Sequence, residues 1–153
     1  MKHAILIVED NATKRVEIEN ALPRSLEYSV EWAQSIAQSY RALEGREWDL
    51  VILDMTFQVS QSFGKEIIKE PLAGIELLQY MSRRQIAAPV IVATQHSSFS
   101  SSDMSGIDTV DDLHELLLDL FPRNYRSIVR VDLSEETWKH DLAASVDEVL
   151  NVG

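Results

Sequence analysis

Three short, almost uninterrupted apolar runs constrain the fold of this chain most: Ala4-Ile-Leu-Ile-Val8, Asp49-Leu-Val-Ile-Leu53 and Val90-Ile-Val-Ala-Thr94. Each is too short for a helix and rich in β-branched residues. None shows the polar alternation of a half-exposed strand, so each reads as a strand buried on both faces. Layers on both sides must cover them.

The segments between these runs have helical spacing. Asn11 is placed to cap a helix from Ala12 to Leu22, with Val16, Ile18, Ala21 and Leu22 as its apolar positions and Pro23 as its stop. A second strand is expected at about Tyr28 to Ala33. A helix over Ser35 to Leu43 follows, carrying Ile36, Tyr40 and Leu43 on one stripe and ending at Gly45. Residues 55–73 have no clear period, contain Gly64 and Pro71, and are expected to form a loop with one helical turn. Helical spacing resumes from Gly74 to Gln85, and again from Thr109 to about Leu120 after the serine-rich run Ser97 to Ser105. Ser127-Ile-Val-Arg-Val131 is the fifth strand. Ser134 opens a last helix on which Trp138, Leu142, Val146 and Leu150 recur every four residues.

Five strands alternating with five helices predict an α/β fold, a three-layer sandwich around a parallel sheet, because parallel strands need crossovers and those crossovers are helices. At 153 residues, one domain over residues 1–153 is expected. No apolar run approaches the ~20 residues needed to span a bilayer, and the expected relation to a membrane is none. Zero cysteines exclude disulfides and thiolate chemistry and fit a reducing cytoplasm, the expected location. A net charge of -11 would repel a phosphate backbone, so direct nucleic-acid binding is not expected. Most of the 25 acidic residues need no role beyond a solvated surface.

Ligands of such sheets bind beyond the carboxyl ends of the strands. Here the first strand ends in Glu9-Asp10, the third in Asp54, the fourth in Thr94 and the fifth near Arg130. Three carboxylates brought together would repel by roughly 4 kcal/mol per pair at about 4 Å in a partly screened site, so the cluster calls for a counter-charge. Oxygen donors without nearby His or Cys favour Mg²⁺ over zinc, and Mg²⁺ leaves positions open for phosphate oxygens. The arrangement suits phosphoryl transfer to a carboxylate. Asp54 is the candidate nucleophile, Glu9 and Asp10 the metal-binding pair, and Thr94 and Arg130 the groups that bond phosphoryl oxygens.

The blocks Ile-Leu-Ile-Val-Glu-Asp-Asn at 5–11, Asp-Leu-Val-Ile-Leu-Asp-Met at 49–55 and Pro-Val-Ile-Val-Ala-Thr at 89–94 resemble response-regulator receiver domains. The resemblance implies a flavodoxin-like sheet in order 2-1-3-4-5. It implies Asp54 as phosphoacceptor in a two-component phosphorelay, Thr94 as switch hydroxyl, and Glu9, Asp10, Asp54 and the Thr56 carbonyl as Mg²⁺ ligands. The partners it implies are a histidine kinase or phosphotransfer protein as donor and a downstream protein that reads the switched surface. It also allows a homodimer through the last helix and fifth strand. With no output domain expected after Gly153, the effect would pass through another protein.

Three features depart from that pattern. Arg130-Val131 stands where the family has lysine followed by proline, and a guanidinium keeps the charge without the compact ammonium. Ser127, with Tyr125 nearby, stands where the family has an aromatic switch residue. Segments 55–73 and 95–108 are longer than usual βα loops of about 2–6 residues. These departures motivate the rival expectation of a degenerate receiver that serves as a phosphorylation-independent interaction module. Two other α/β readings fit less well. A haloacid-dehalogenase-like phosphatase needs a second acid two residues after its nucleophile, where this chain has Thr56. A flavodoxin-like cofactor binder wants a neutral phosphate loop where this chain has Glu9-Asp10. His3, His96, His114 and His140 lack ligand spacing, and Trp32, Trp48 and Trp138 read as packing residues.

Overall fold

The computed structural model describes residues 2–55, 57–62, 66–70, 73–95 and 109–151. The first strand, β1 (His3–Val8), is followed by α1 (Ala12–Ala21), β2 (Tyr28–Ala33), α2 (Ile36–Gly45) and β3 (Leu50–Leu53). Next come β4 (Phe57–Ser62), β5 (Glu66–Glu70), α3 (Ala73–Arg83), β6 (Val90–Thr94), α4 (Val110–Leu120), β7 (Tyr125–Arg130) and α5 (Thr137–Asn151).

Five strands form one parallel sheet in the order β2-β1-β3-β6-β7, which is the expected 2-1-3-4-5 order of the strands that alternate with helices. Side chains of the central strands alternate between two cores, as period-2 geometry requires. Leu6, Val8, Val51, Leu53, Val90 and Val92 pack with α2, α3 and α4, while Ile5, Ile7, Leu50, Ile52, Ile91 and Ala93 pack with α1 and α5. The apolar runs are continuous because both faces of the sheet are covered.

Local chemistry sets the helix boundaries. Asn11 caps α1 by accepting from the Lys14 amide at 3.0 Å. Thr109 and Asp112 form a reciprocal capping box at the start of α4. The last helix starts at Thr137, three residues later than expected, because Asp132 draws Ser134 into a turn by accepting from its amide at 3.0 Å and its hydroxyl at 2.6 Å. The fifth sheet strand also starts two residues earlier than expected, at Tyr125.

The expected loop over 55–73 is corrected. Strands β4 and β5 pair antiparallel as a hairpin, from Phe57 opposite Glu70 to Ser62 opposite Glu66. The signal was present as Phe57, Val59, Ile67 and Ile68 flanking a three-residue spacer that contains Gly64, but the surrounding Ser, Gln and Glu hid the strand pattern. Of the second long segment, residues 96–108 lie outside the described residues, with His96 and the serine run among them.

Candidate functional site

The carboxyl ends of β1 and β3 are neighbours in the sheet, so their following residues meet. The Asp54 amide donates to the Val8 carbonyl at 3.0 Å, and the Glu9 amide donates to the Ala33 carbonyl at 3.0 Å. Ladder bonds thus continue past the last paired residues and fix the backbone that carries both acids. Glu9, Asp10 and Asp54 each offer an oxygen within 4.8 Å of the others. Glu9 and Asp54 are buried, at 2% and 6% exposure.

Burying two carboxylates side by side is costly, and the acidity of Glu9 shows it. Its carboxyl is pushed up to about 7, first by desolvation and then by the charge of Asp54, while Lys14 pulls the other way. Lys14 is the residue that sequence reasoning missed. Its ammonium lies 2.7 Å from Glu9 Oε1 and 3.1 Å from Asp54 Oδ1, and the side chain is 1% exposed. The available signal was positional. Lys14, Ile18 and Ala21 share one helical face, the face of α1 that is buried. Val16, expected on the apolar face, is 43% exposed instead.

Surrounding contacts lock the acid-bearing loop. Glu9 Oε2 accepts from the Asn11 amide at 3.2 Å, and the Trp32 indole N–H donates to the Glu9 carbonyl. The Arg15 guanidinium lies 4.3 Å above the Trp32 ring, so the first turn of α1 closes over this corner. After β3, the Gly74 amide donates to the Met55 carbonyl at 2.9 Å. A Cβ on Gly74 would lie 3.0 Å from the Asp54 carbonyl and 2.5 Å from the Met55 methyl. Only glycine permits α3 to approach the Asp54 backbone this closely.

Thr94 is fully buried at the end of β6, and its carbonyl accepts from the Val131 amide at 2.7 Å. Arg130 pairs with Thr94 across the sheet, yet its side chain is exposed and its charge acts on Asp132. Among the described residues, Lys14, not Arg130, supplies the ion pairs to Glu9 and Asp54. Thr56 lies outside the described residues. Tyr125 sits opposite Val90, at the other end of β6 from Thr94, with its hydroxyl 2.6 Å from His114 Nδ1. This tyrosine therefore ties α4 to β7 and does not stand beside Thr94. Ser127, where the family's aromatic would fall, is opposite Ile91.

The donor set at the sheet edge is all oxygen: three carboxylates, with the Thr94 hydroxyl on the neighbouring strand. Such a set suits a hard divalent cation and oxyanion chemistry. Among the described residues, no helix is long and apolar enough to cross a membrane.

Known proteins share this architecture. Over 150 residues the chain is 25% identical to the Detocs response regulatory protein DtcB of Enterobacter cloacae (strain JD6301), covering 95% of this chain and 99% of that one. The phosphorylated cyanobacterial phytochrome response regulator RcpA matches its fold with a TM-score of 0.68 at 15% identity, over 100% of this chain and 97% of the other. A CheY-like receiver domain protein from Methanospirillum hungatei JF-1 matches with a TM-score of 0.64 at 18% identity, over 99% and 95%. The sequence pattern of the response regulator receiver domain matches residues 5–108, which span β1 to the segment before α4 and include every acid of the cluster. By that match, and by a parallel sheet that gathers those acids at one edge, the chain belongs to the response regulator receiver domain family of two-component signalling.

Proposed function

We propose that this chain is a phosphoacceptor whose Asp54 takes a phosphoryl group in a Mg²⁺-dependent step and thereby switches a protein-interaction surface. The observation that carries this reading is the convergence of Glu9, Asp10 and Asp54 within 4.8 Å at the ends of two adjacent strands. Glu9, Asp10 and Asp54 would hold the ion, with the Thr56 carbonyl implied by resemblance. When bound, Mg²⁺ would neutralise the carboxylates and the phosphoryl oxygens.

The chain's own residues do the rest. An Asp54 oxygen forms the new bond to phosphorus as the donor's bond to phosphorus breaks, and the ladder bond from the Asp54 amide holds that carboxylate in place. The hydroxyl of Thr94 can then donate to the acyl phosphate, which favours the conformer that makes this contact. A histidine kinase or phosphotransfer protein is the proposed donor, and a second protein in the cytoplasm the proposed reader. Residues 1–153 act as one receiver unit in this reading.

Intact mass after incubation with acetyl phosphate and Mg²⁺ tests it. Wild type is expected to gain one phosphoryl group, and Asp54→Asn to gain none. A wild-type chain that gains none would favour the second reading, a phosphorylation-independent interaction module, for which the exposed Arg130 and the Lys14 ammonium within the acid cluster are the motivating observations.

A further inference from the structure

The acid cluster already contains a cation, and it comes from an unexpected place. Arg130, the expected cation, is exposed, and its charge is felt at Asp132. Lys14 reaches in from the first turn of α1, fully buried, and bridges the acid that follows β1 to the acid that follows β3. A lysine at 1% exposure is rare unless its charge is matched, and here two carboxylates match it. Its ammonium approaches two of the three carboxylates that define the candidate metal cluster.

We propose that Lys14 is the resident cation of this site, in the role expected of Arg130, and that it competes directly with a divalent ion for Glu9 and Asp54. The inference rests on the reading of Glu9, Asp10 and Asp54 as a metal cluster and adds a specific antagonist to it. The ammonium and a divalent ion would repel each other and draw on the same Glu9 and Asp54 oxygens, so divalent binding weakens the hold of Lys14 on them, and its four-carbon stem lets the ammonium swing away. Occupancy of the cluster is then an exchange of cations, and divalent affinity is set partly by how firmly Lys14 holds.

Thermal unfolding of wild type, Lys14→Met and Arg130→Met, in EDTA and across a MgCl₂ titration, tests this. In EDTA, Lys14→Met is expected to melt below wild type, because Glu9 and Asp54 lose the ion pairs made by Lys14. Its stabilisation by Mg²⁺ should reach half-effect at a concentration at least about tenfold lower than for wild type, equivalent to about 1.4 kcal/mol. Arg130→Met should follow wild type in both respects. If Lys14→Met does not fold in EDTA, Lys14→Gln and Lys14→Arg carry the comparison, with the lower midpoint expected for Gln alone.

An unchanged midpoint on removing the Lys14 charge overturns the proposal, as does an Arg130→Met chain that shows the shift instead. Absence of any Mg²⁺ response in every variant also overturns it. A response confined to the Lys14 variants upholds it and shows that the ammonium keeps Mg²⁺ out of the wild-type site. Phosphoryl uptake by wild type tests the underlying reading separately, so uptake with an unshifted midpoint removes the role of Lys14 alone.

Discussion

The two edges of the parallel sheet handle buried polarity in opposite ways. At the amino edge, polar side chains are spent on the backbone. Asp49 Oδ2 accepts from the Ala4 amide at 2.7 Å, and the buried Asn124 donates to the carbonyls of Ile86 and Ala88 at 2.7 and 2.9 Å. These bonds satisfy groups that strand ends leave unpaired and join β7 to the chain entering β6. At the carboxyl edge, Glu9 and Asp54 are buried beside each other, and desolvation, followed by the charge of Asp54, pushes the pKa of Glu9 up to about 7. The amino edge reduces strain within the fold, whereas the carboxyl edge retains it. Desolvation and charge repulsion kept at one end of a sheet, when the other end shows how polar groups are stabilised, are what the proposed phosphoacceptor site would require of its edge.

The contrast can be broken from the structural side first. Asn124→Ala strands one buried carbonyl, that of Ala88, and one part-buried carbonyl, that of Ile86, and is expected to lower stability by about 2–3 kcal/mol, measured by urea unfolding. Phosphoryl uptake by the folded protein should persist, since the residue lies at the far edge. Loss of uptake with little loss of stability would show that the two edges are not separable.

Glu9 tests the other edge. Its carboxyl keeps its proton in the folded chain up to about 7, whereas the unfolded chain releases it near the ordinary value of 4.5. Between those values the folded state binds more protons, so metal-free stability should fall as pH rises through that window. A loss on the order of 1–3 kcal/mol is expected from about pH 5 to about pH 8 in EDTA, and Glu9→Gln should flatten it. A wild-type profile already flat over this window would mean that the carboxylate pair is not strained.

The smallest effect concerns a backbone detail away from both clusters. After α3, the Ile86 amide donates to the Met81 carbonyl at 2.9 Å and the Gln85 amide to the Ser82 carbonyl at 3.2 Å, with Gln85 at φ 58°. This is a Schellman cap with a side chain where glycine is favoured. Gln85→Gly should therefore stabilise by about 0.5–1 kcal/mol in the same unfolding assay, with no change in Mg²⁺ response.

Much of this was legible in the linear chain. Ala4 to Val8 and Val90 to Thr94 declare doubly covered strands because a buried strand has no polar face to display. Glu9, Asp10 and Asp54 were legible as a cluster because strand ends in a parallel sheet share one edge, so sequence position alone sets their neighbourhood. The β4–β5 hairpin was obscured, since its few apolar residues sit among Ser, Gln and Glu and local pattern reading weighs composition over pairing.

What the sequence determined by itself is the alternation of elements, the carboxylates at the strand ends and the family, since these follow from short-range periodicity and local order. Only the tertiary structure decided which cation meets them. Arg130 and Lys14 are both basic residues close to the acid edge in sequence terms, but the rotation of α1 turns the Lys14, Ile18 and Ala21 face inward, while the side chain of Arg130 on the edge strand remains in solvent. Helix rotation is set by packing against the whole sheet, and the i, i+4, i+7 spacing of Lys14, Ile18 and Ala21 marks a face without saying that it is the one turned inward.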